Sequence, residues 1–199
     1  MATTVYLVRH AAHDRVDSVL CGRMLGVGLG EDGRWQAEAL ARHFGRKAVD
    51  AVWTSPVQRA RETAEPIAAE LGLIAWDSDA LCEIDFGAWT GRDFAVLRDD
   101  PLWHRWNEAR GSERPPGGES MAEAQARAIG ELERAREEHP EGGVVLVSHG
   151  DVIKAMVAGV LGLPLDAHAR FDIAPASVSA LAVWEGGGKV LRMNETVAA

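Results

Sequence analysis

"GGVVLVSHG", residues 142–150, decides the fold. Val144 to Val147 are apolar without alternation, so a strand here is buried on both faces, as interior strands of helix-covered parallel sheets are. The run stops at Ser148-His149-Gly150 and passes into "DVIKAMVAGVLG" (151–162), an apolar helical stretch. A histidine therefore stands at the carboxyl end of a buried strand, with glycine opening the next helix.

The N-terminus repeats the pattern. Thr3 to Val8 is short, apolar and β-branched, and it ends in Arg9-His10. Working outward, "EDGRWQAEALARHFG" (31–45) carries Trp35, Leu40 and Phe44 at helical spacings and stops at glycine. "AVWTS" (51–55) reads as a strand. "SPVQRARETAEPIAAELG" (55–72) reads as a helix with Ser55 as N-cap and Pro56 at the first helical position. A long polar helix follows Glu119, and "SVSALAVWEGGGKVLRMN" (177–194) is a hairpin of two strands. Alternating strands and helices predict an α/β protein: a three-layer α/β/α sandwich with a mostly parallel central sheet, formed by one domain over 1–199. Residues 86–118, with short helices and a breaker-rich loop, interrupt the alternation as a lid-like insertion.

Composition narrows the function. A net charge of −9 argues against nucleic-acid and anionic-membrane partners while allowing a local cationic pocket. No stretch approaches the length of a membrane span. Cys21 and Cys82 form no CxxC spacing, and two free thiols suit a cytoplasmic protein. A homodimer through an edge strand or exposed helix is compatible with the sequence, though no patch demands it.

In an open parallel sheet, ligands bind beyond the carboxyl ends of the strands, and the candidate chemistry collects there. Two strands deliver His10 and His149, and a third delivers Arg59 in the first turn of its helix. Forked guanidinium donors match phosphoryl oxygens in geometry, imidazole N–H groups also bind them, and amides opening the helix at Gly150 add to the field. Ester cleavage further needs a nucleophile and a proton donor. His10 is suited to the first, because the neighbouring Arg9 disfavours its protonated form. In "LCEIDFGAWTG" (81–91), Glu83 is chosen as the acid, since burial favours a protonated carboxyl, with Asp85 in reserve. Arg23, Trp103 and His104 are expected to shape the leaving-group pocket. "GLGEDG" (28–33) fits GxGxxG but lacks a preceding strand, so it reads as a loop leading into a helix. His10, His13, His149 and Asp151 lack zinc spacing, and Arg9 and Arg59 would repel a cation.

With these residues in view, the chain resembles the histidine phosphatase superfamily, the phosphoglycerate mutase-like fold. "LVRHA" (7–11), "SPVQRARETA" (55–64), "EIDFGAWTG" (83–91), "PPGGES" (115–120) and "VLVSHGDVI" (145–153) resemble its motifs in the family's order. The pattern departs at Ala11, Ala12 and His13, where that family more often has Gly, then Glu or Gln, then Thr or Ser. The resemblance implies a phosphomonoester hydrolase in which His10 is phosphorylated. Arg9, Arg59 and His149 would hold the phosphoryl oxygens, Glu83 would move the proton, and no metal or cofactor is required. A small phosphorylated metabolite is the expected substrate. A phosphoglycerate-type mutase is the runner-up, disfavoured because the chain is shorter than such mutases, and a non-catalytic phospholigand-binding module is the alternative from another class.

Overall fold

The structure is a computed structural model and describes residues 2–197. Strand β1 (Thr3–Arg9) leads to α1 (Glu31–Phe44), β2 (Ala51–Thr54), α2 (Gln58–Leu71) and the short β3 (Ala75–Asp77). The middle section holds α3 (Phe94–Leu97) and α4 (Pro101–Glu108). Next come α5 (Met121–Glu138), β4 (Gly143–Ser148), α6 (Gly150–Leu161), and the β5 (Ser177–Trp184) and β6 (Gly187–Thr196) hairpin. The six strands lie in the order β3-β2-β4-β1-β5-β6, with β3, β2, β4 and β1 parallel and β5 antiparallel to both neighbours.

All six residues of β4 are buried, as an interior strand requires. Val144 and Leu146 face a core with α5 and α6, whereas Val145 and Val147 face a second core with α1 and α2. The period of two thus splits one apolar run between two layers. The helices after the neighbouring strands β1 and β4 leave to opposite faces. This opens a crevice between the two strand ends, where a ligand site is expected in such sheets.

Two local expectations are corrected. Trp35 is 59% exposed, because α1 buries the face carrying Ala37, Leu40, Ala41 and Phe44 instead. Helix α2 begins at Gln58 with Val57 as N-cap, so Pro56 lies outside the helix and Ser55, whose Oγ accepts the Val57 amide at 3.3 Å, is not its N-cap. The Ser55 hydroxyl also bonds to a histidine, as described below.

The glycine-rich "GLGEDG" does lead into a helix, with Gly30 as the N-cap of α1. Gly33 has a specific task, since a Cβ there would overlap the Ala12 carbonyl oxygen in the loop that follows His10. Gly33→Ala is therefore expected to lower stability by about 2 kcal/mol, read as a drop in melting temperature.

The middle section is anchored by stacked aromatics. Trp89 and Trp106 are buried, with ring centroids 5.8 Å apart, and Trp103 sits 5.3 Å from each. The section is also stitched to the loop before it. Val19 and Asp93 form an antiparallel bridge, with Leu20 N donating to Arg92 O at 2.9 Å and Phe94 N to Ser18 O at 3.0 Å.

Candidate active site

Strand register brings the distant motifs together. Arg9 pairs with Ser148 across β1 and β4, so His10 and His149 are neighbours one step beyond. Thr54 pairs with Val147, which puts Ser55 beside them. The two imidazole centroids lie 5.2 Å apart, and both side chains are buried.

The tautomer of His10 follows from its contacts. Its Nδ1 lies 2.8 Å from the Ala11 carbonyl, which can only accept, so Nδ1 carries the proton. Nε2 is left with its lone pair and accepts Arg59 Nε–H at 3.2 Å. Burial, then the charges of Arg59 and Arg9, hold this imidazole well below the usual histidine range, and it stays neutral. His149 is depressed by the same burial and by Arg59. Its Nδ1 accepts from Arg59 Nη2 at 3.1 Å, so its Nε2–H donates to Ser55 Oγ at 2.8 Å. Sequence reasoning missed this role of Ser55; the available signal was a serine at a strand end opposite the histidine.

Arg59 also gives Nη2 to the Gly22 carbonyl at 2.8 Å, and Arg9 gives Nη1 to the Ile173 carbonyl at 2.6 Å. Two of their other donors, Arg59 Nη1 and Arg9 Nε, are buried with no partner among the described residues. Buried guanidinium N–H groups without protein partners are costly and are characteristic of anion sites. Gly150 opens α6 beside Arg9, whose Cζ lies 3.5 Å from where a Cβ on that glycine would stand.

Glu83 brings a carboxyl to the site, where Asp151 is a second. Glu83 Oε1 accepts the Ile84 amide at 2.9 Å, and Oε2 lies 3.9 Å from His149 Nδ1. Burial and then the charge of Asp151 push Glu83 up to about 7, against the pull of Arg59. Asp151 is itself held by Arg110 at 2.9 Å, whose guanidinium stacks on Trp106 at 3.6 Å. Asp85 turns away, its Oδ1 accepting the Gly87 amide at 2.8 Å.

Arg9, His10, Arg59, Glu83, Gly150 and Asp151 line one pocket of about 240 Å³ together with His13, Cys21, Phe86, Phe94 and Lys154, whereas His149 is fully buried and does not line it. Of the residues expected to form the leaving-group pocket, none lines it. Arg23 turns its Nε to the Glu83 carbonyl at 2.6 Å, behind the acid rather than in front of it. Trp103 packs on Trp89 and Trp106, and His104 Nε2 bonds to the Arg98 carbonyl at 2.6 Å. An apolar stack and a local backbone bond occupied these side chains. His13, beside His10, is lowered to about 4 by burial and by Arg59 and Arg9.

Among the described residues no cluster of three or more His, Cys, Asp or Glu side chains is arranged to hold a metal ion. Nor is any helix of them long and apolar enough to cross a membrane.

The chain is similar to several known phosphatases. Phosphoserine phosphatase 1 of Hydrogenobacter thermophilus is 32% identical over 192 residues, covering 96% of this chain and 91% of the relative. The bifunctional protein Rv2228c of Mycobacterium tuberculosis is 34% identical over 202 residues, of which this chain spans only 54% of the length. Among solved structures, a mycobacterial glucosyl-3-phosphoglycerate phosphatase superposes with a TM-score of 0.88 at 27% identity, covering 98% of this chain and 99% of that one. A sequence profile of the histidine phosphatase superfamily (branch 1) matches residues 5–196, and the chain belongs to that family.

Proposed function

We propose that the protein hydrolyses phosphate monoesters through a phosphohistidine at His10. The aim of the His10 Nε2 lone pair carries this reading: the proton is pinned on the far nitrogen by Ala11, and the lone pair faces the point where Arg59 and His149 converge. In the first step Nε2 bonds to phosphorus as the bond to the ester oxygen breaks. Glu83, protonated up to about pH 7, gives its proton to that oxygen and the alcohol leaves. In the second step the Glu83 carboxylate takes a proton from water as the water oxygen attacks phosphorus. The P–N bond breaks, inorganic phosphate departs, and both His10 and Glu83 return to their starting forms. Arg9, Arg59 and the Gly150 amide meet the charge on the equatorial oxygens, while His149, whose Nε2–H is given to Ser55, accepts from Arg59 and holds its guanidinium in place.

The second half of the pocket supports a substrate with a carboxylate near its phosphate. Lys154 lies one turn beyond Gly150 on the same face of α6, about 6 Å along the axis, and helical side chains lean back toward the N-terminus. Its Nζ lies 3.7 Å from the exposed Asp172 and 5.9 Å from the centroid of the Phe171 ring. Phosphoserine and phosphoglycerate derivatives, the substrates in the names of two relatives, both carry such a group. Residues 86–118 supply Phe86 and Phe94 as the wall around the leaving group. The buried free thiols of Cys21 and Cys82 suit a reducing, cytoplasmic setting.

The test is phosphate release from a panel of phosphomonoesters with and without a carboxylate, in excess chelator. Chelator-insensitive release is expected, with Lys154→Ala raising KM about 10-fold for carboxylate-bearing substrates only. Loss of release to chelator would overturn the metal-free route. Transfer between isomeric phosphoglycerates with little release would mark a mutase, and tight phosphate binding without turnover a ligand-binding module.

A further inference from the structure

Glu119 lies outside the pocket, yet its carboxylate sits between two arginines that grip the backbone of the acid segment. Arg127, on α5, gives Nε and Nη2 to the Glu119 carboxylate at 2.7 and 2.9 Å, and Nη1 to the Ala80 carbonyl at 2.7 Å. Arg23 gives Nη2 to Glu119 Oε2 at 2.9 Å and Nε to the Glu83 carbonyl at 2.6 Å. The Glu119 amide closes the arrangement by donating to the Asp85 carbonyl at 2.8 Å. Bonds therefore land on residues 80, 83 and 85, bracketing the proposed acid.

Gly118 makes this approach feasible, because a Cβ there would overlap the Asp85 carbonyl oxygen. Among the described residues the Glu83 carboxyl accepts one hydrogen bond, from the amide of the next residue at 2.9 Å. The place of its free oxygen is thus set by where the backbone is held. Two guanidiniums this close would repel without the carboxylate between them.

We propose that Glu119, Arg23 and Arg127 are positioning residues that fix Glu83 for proton transfer to the leaving oxygen. This rests on the reading of Glu83 as the general acid. The clamp matters when the leaving group needs a proton and is idle when it does not. A merely structural role would slow both kinds of substrate alike.

The experiment is single-turnover phosphorylation of the enzyme by the best alkyl phosphate of the panel and by 2,4-dinitrophenyl phosphate. Glu119→Gln is expected to slow the alkyl reaction about 30-fold and the dinitrophenyl reaction less than about 3-fold. Arg23→Ala, at a side chain 38% exposed, carries little folding risk and should show the same pattern at about 5-fold. The high-pH limb of the alkyl reaction should also move to lower pH in Glu119→Gln. The groups facing Glu83 are His149, Arg59, Arg9 and Asp151, with Arg23 and Arg127 at its carbonyl. Without Glu119 the last two are uncompensated and favour the ionised carboxyl.

Equal losses on both substrates, or no loss on the alkyl phosphate in either variant, would overturn the proposal. Glu83→Gln separates the two levels of failure. If it discriminates between the leaving groups and the clamp variants do not, only the clamp falls. If it does not discriminate, the assignment of the acid falls and takes the clamp with it.

Discussion

His10→Ala is expected to reduce phosphate release at least about 10⁴-fold, because the nucleophile is lost while nothing else in the pocket can take its place. His149 is the nearest imidazole, but it is fully buried, does not line the pocket and has its proton committed to Ser55. His13 lines the same pocket, with its ring 5.5 Å from that of His10, but its Nδ1 accepts the Arg15 amide at 3.3 Å. The phosphate cradle of Arg9, Arg59 and the Gly150 amide survives the substitution. Affinity for inorganic phosphate, measured by calorimetry, should then change less than about 5-fold. Acid-quench experiments with labelled substrate should trap phosphoenzyme in the native protein and none in the variant. More than about 1% residual turnover would rule out His10 as the nucleophile.

Glu83→Gln should lower the alkyl-phosphate rate about 10³-fold near pH 6 and erase the high-pH limb of the profile. In the native enzyme the nucleophile is neutral even in mild acid, since burial and two arginines depress His10. The acid must hold its proton, and it does so up to about pH 7, so the rate falls as pH rises through that value. The same shift appears in stability. Between the ordinary carboxylate value of 4.5 and about 7, the folded protein keeps a proton that the unfolded chain has released. Stability therefore declines with rising pH across that window. Glutamine has no such decline, and the variant should be more stable than the native protein by roughly 3 kcal/mol at pH 8 and little different at pH 4. Thermal melts at the two pH values check this.

The phosphoryl half of the site was legible because its residues are tied to strand ends. A buried apolar run announces where it stops, so His10 and His149 could be placed at one sheet edge without coordinates. Arg59 followed from the next strand and its helix. The leaving-group half was not legible, since it depends on side-chain direction in irregular chain. Trp103 was claimed by an aromatic stack, His104 by a local carbonyl, and Arg23 by the back of the acid segment. Lys154 passed unnoticed inside an apolar helix, where only its spacing from Gly150 marked it. Trp35 shows the limit of aromatic spacing as a guide to burial: alanines with Leu40 and Phe44, not the indole, form the packed face of α1.

The short ladder between Val19 and Asp93 has a consequence for anyone wishing to alter what this enzyme accepts. Val16, Val19 and Leu20 form one wall of the pocket and Phe94 another, and the ladder joins the two walls into one sleeve standing on the strand ends. A graft from a relative that replaces only the middle section would leave half of a mismatched seam. Segments 14–20 and 91–94 should be transplanted as a pair, and the machinery beneath them, built on different elements, should pass through the exchange unaltered.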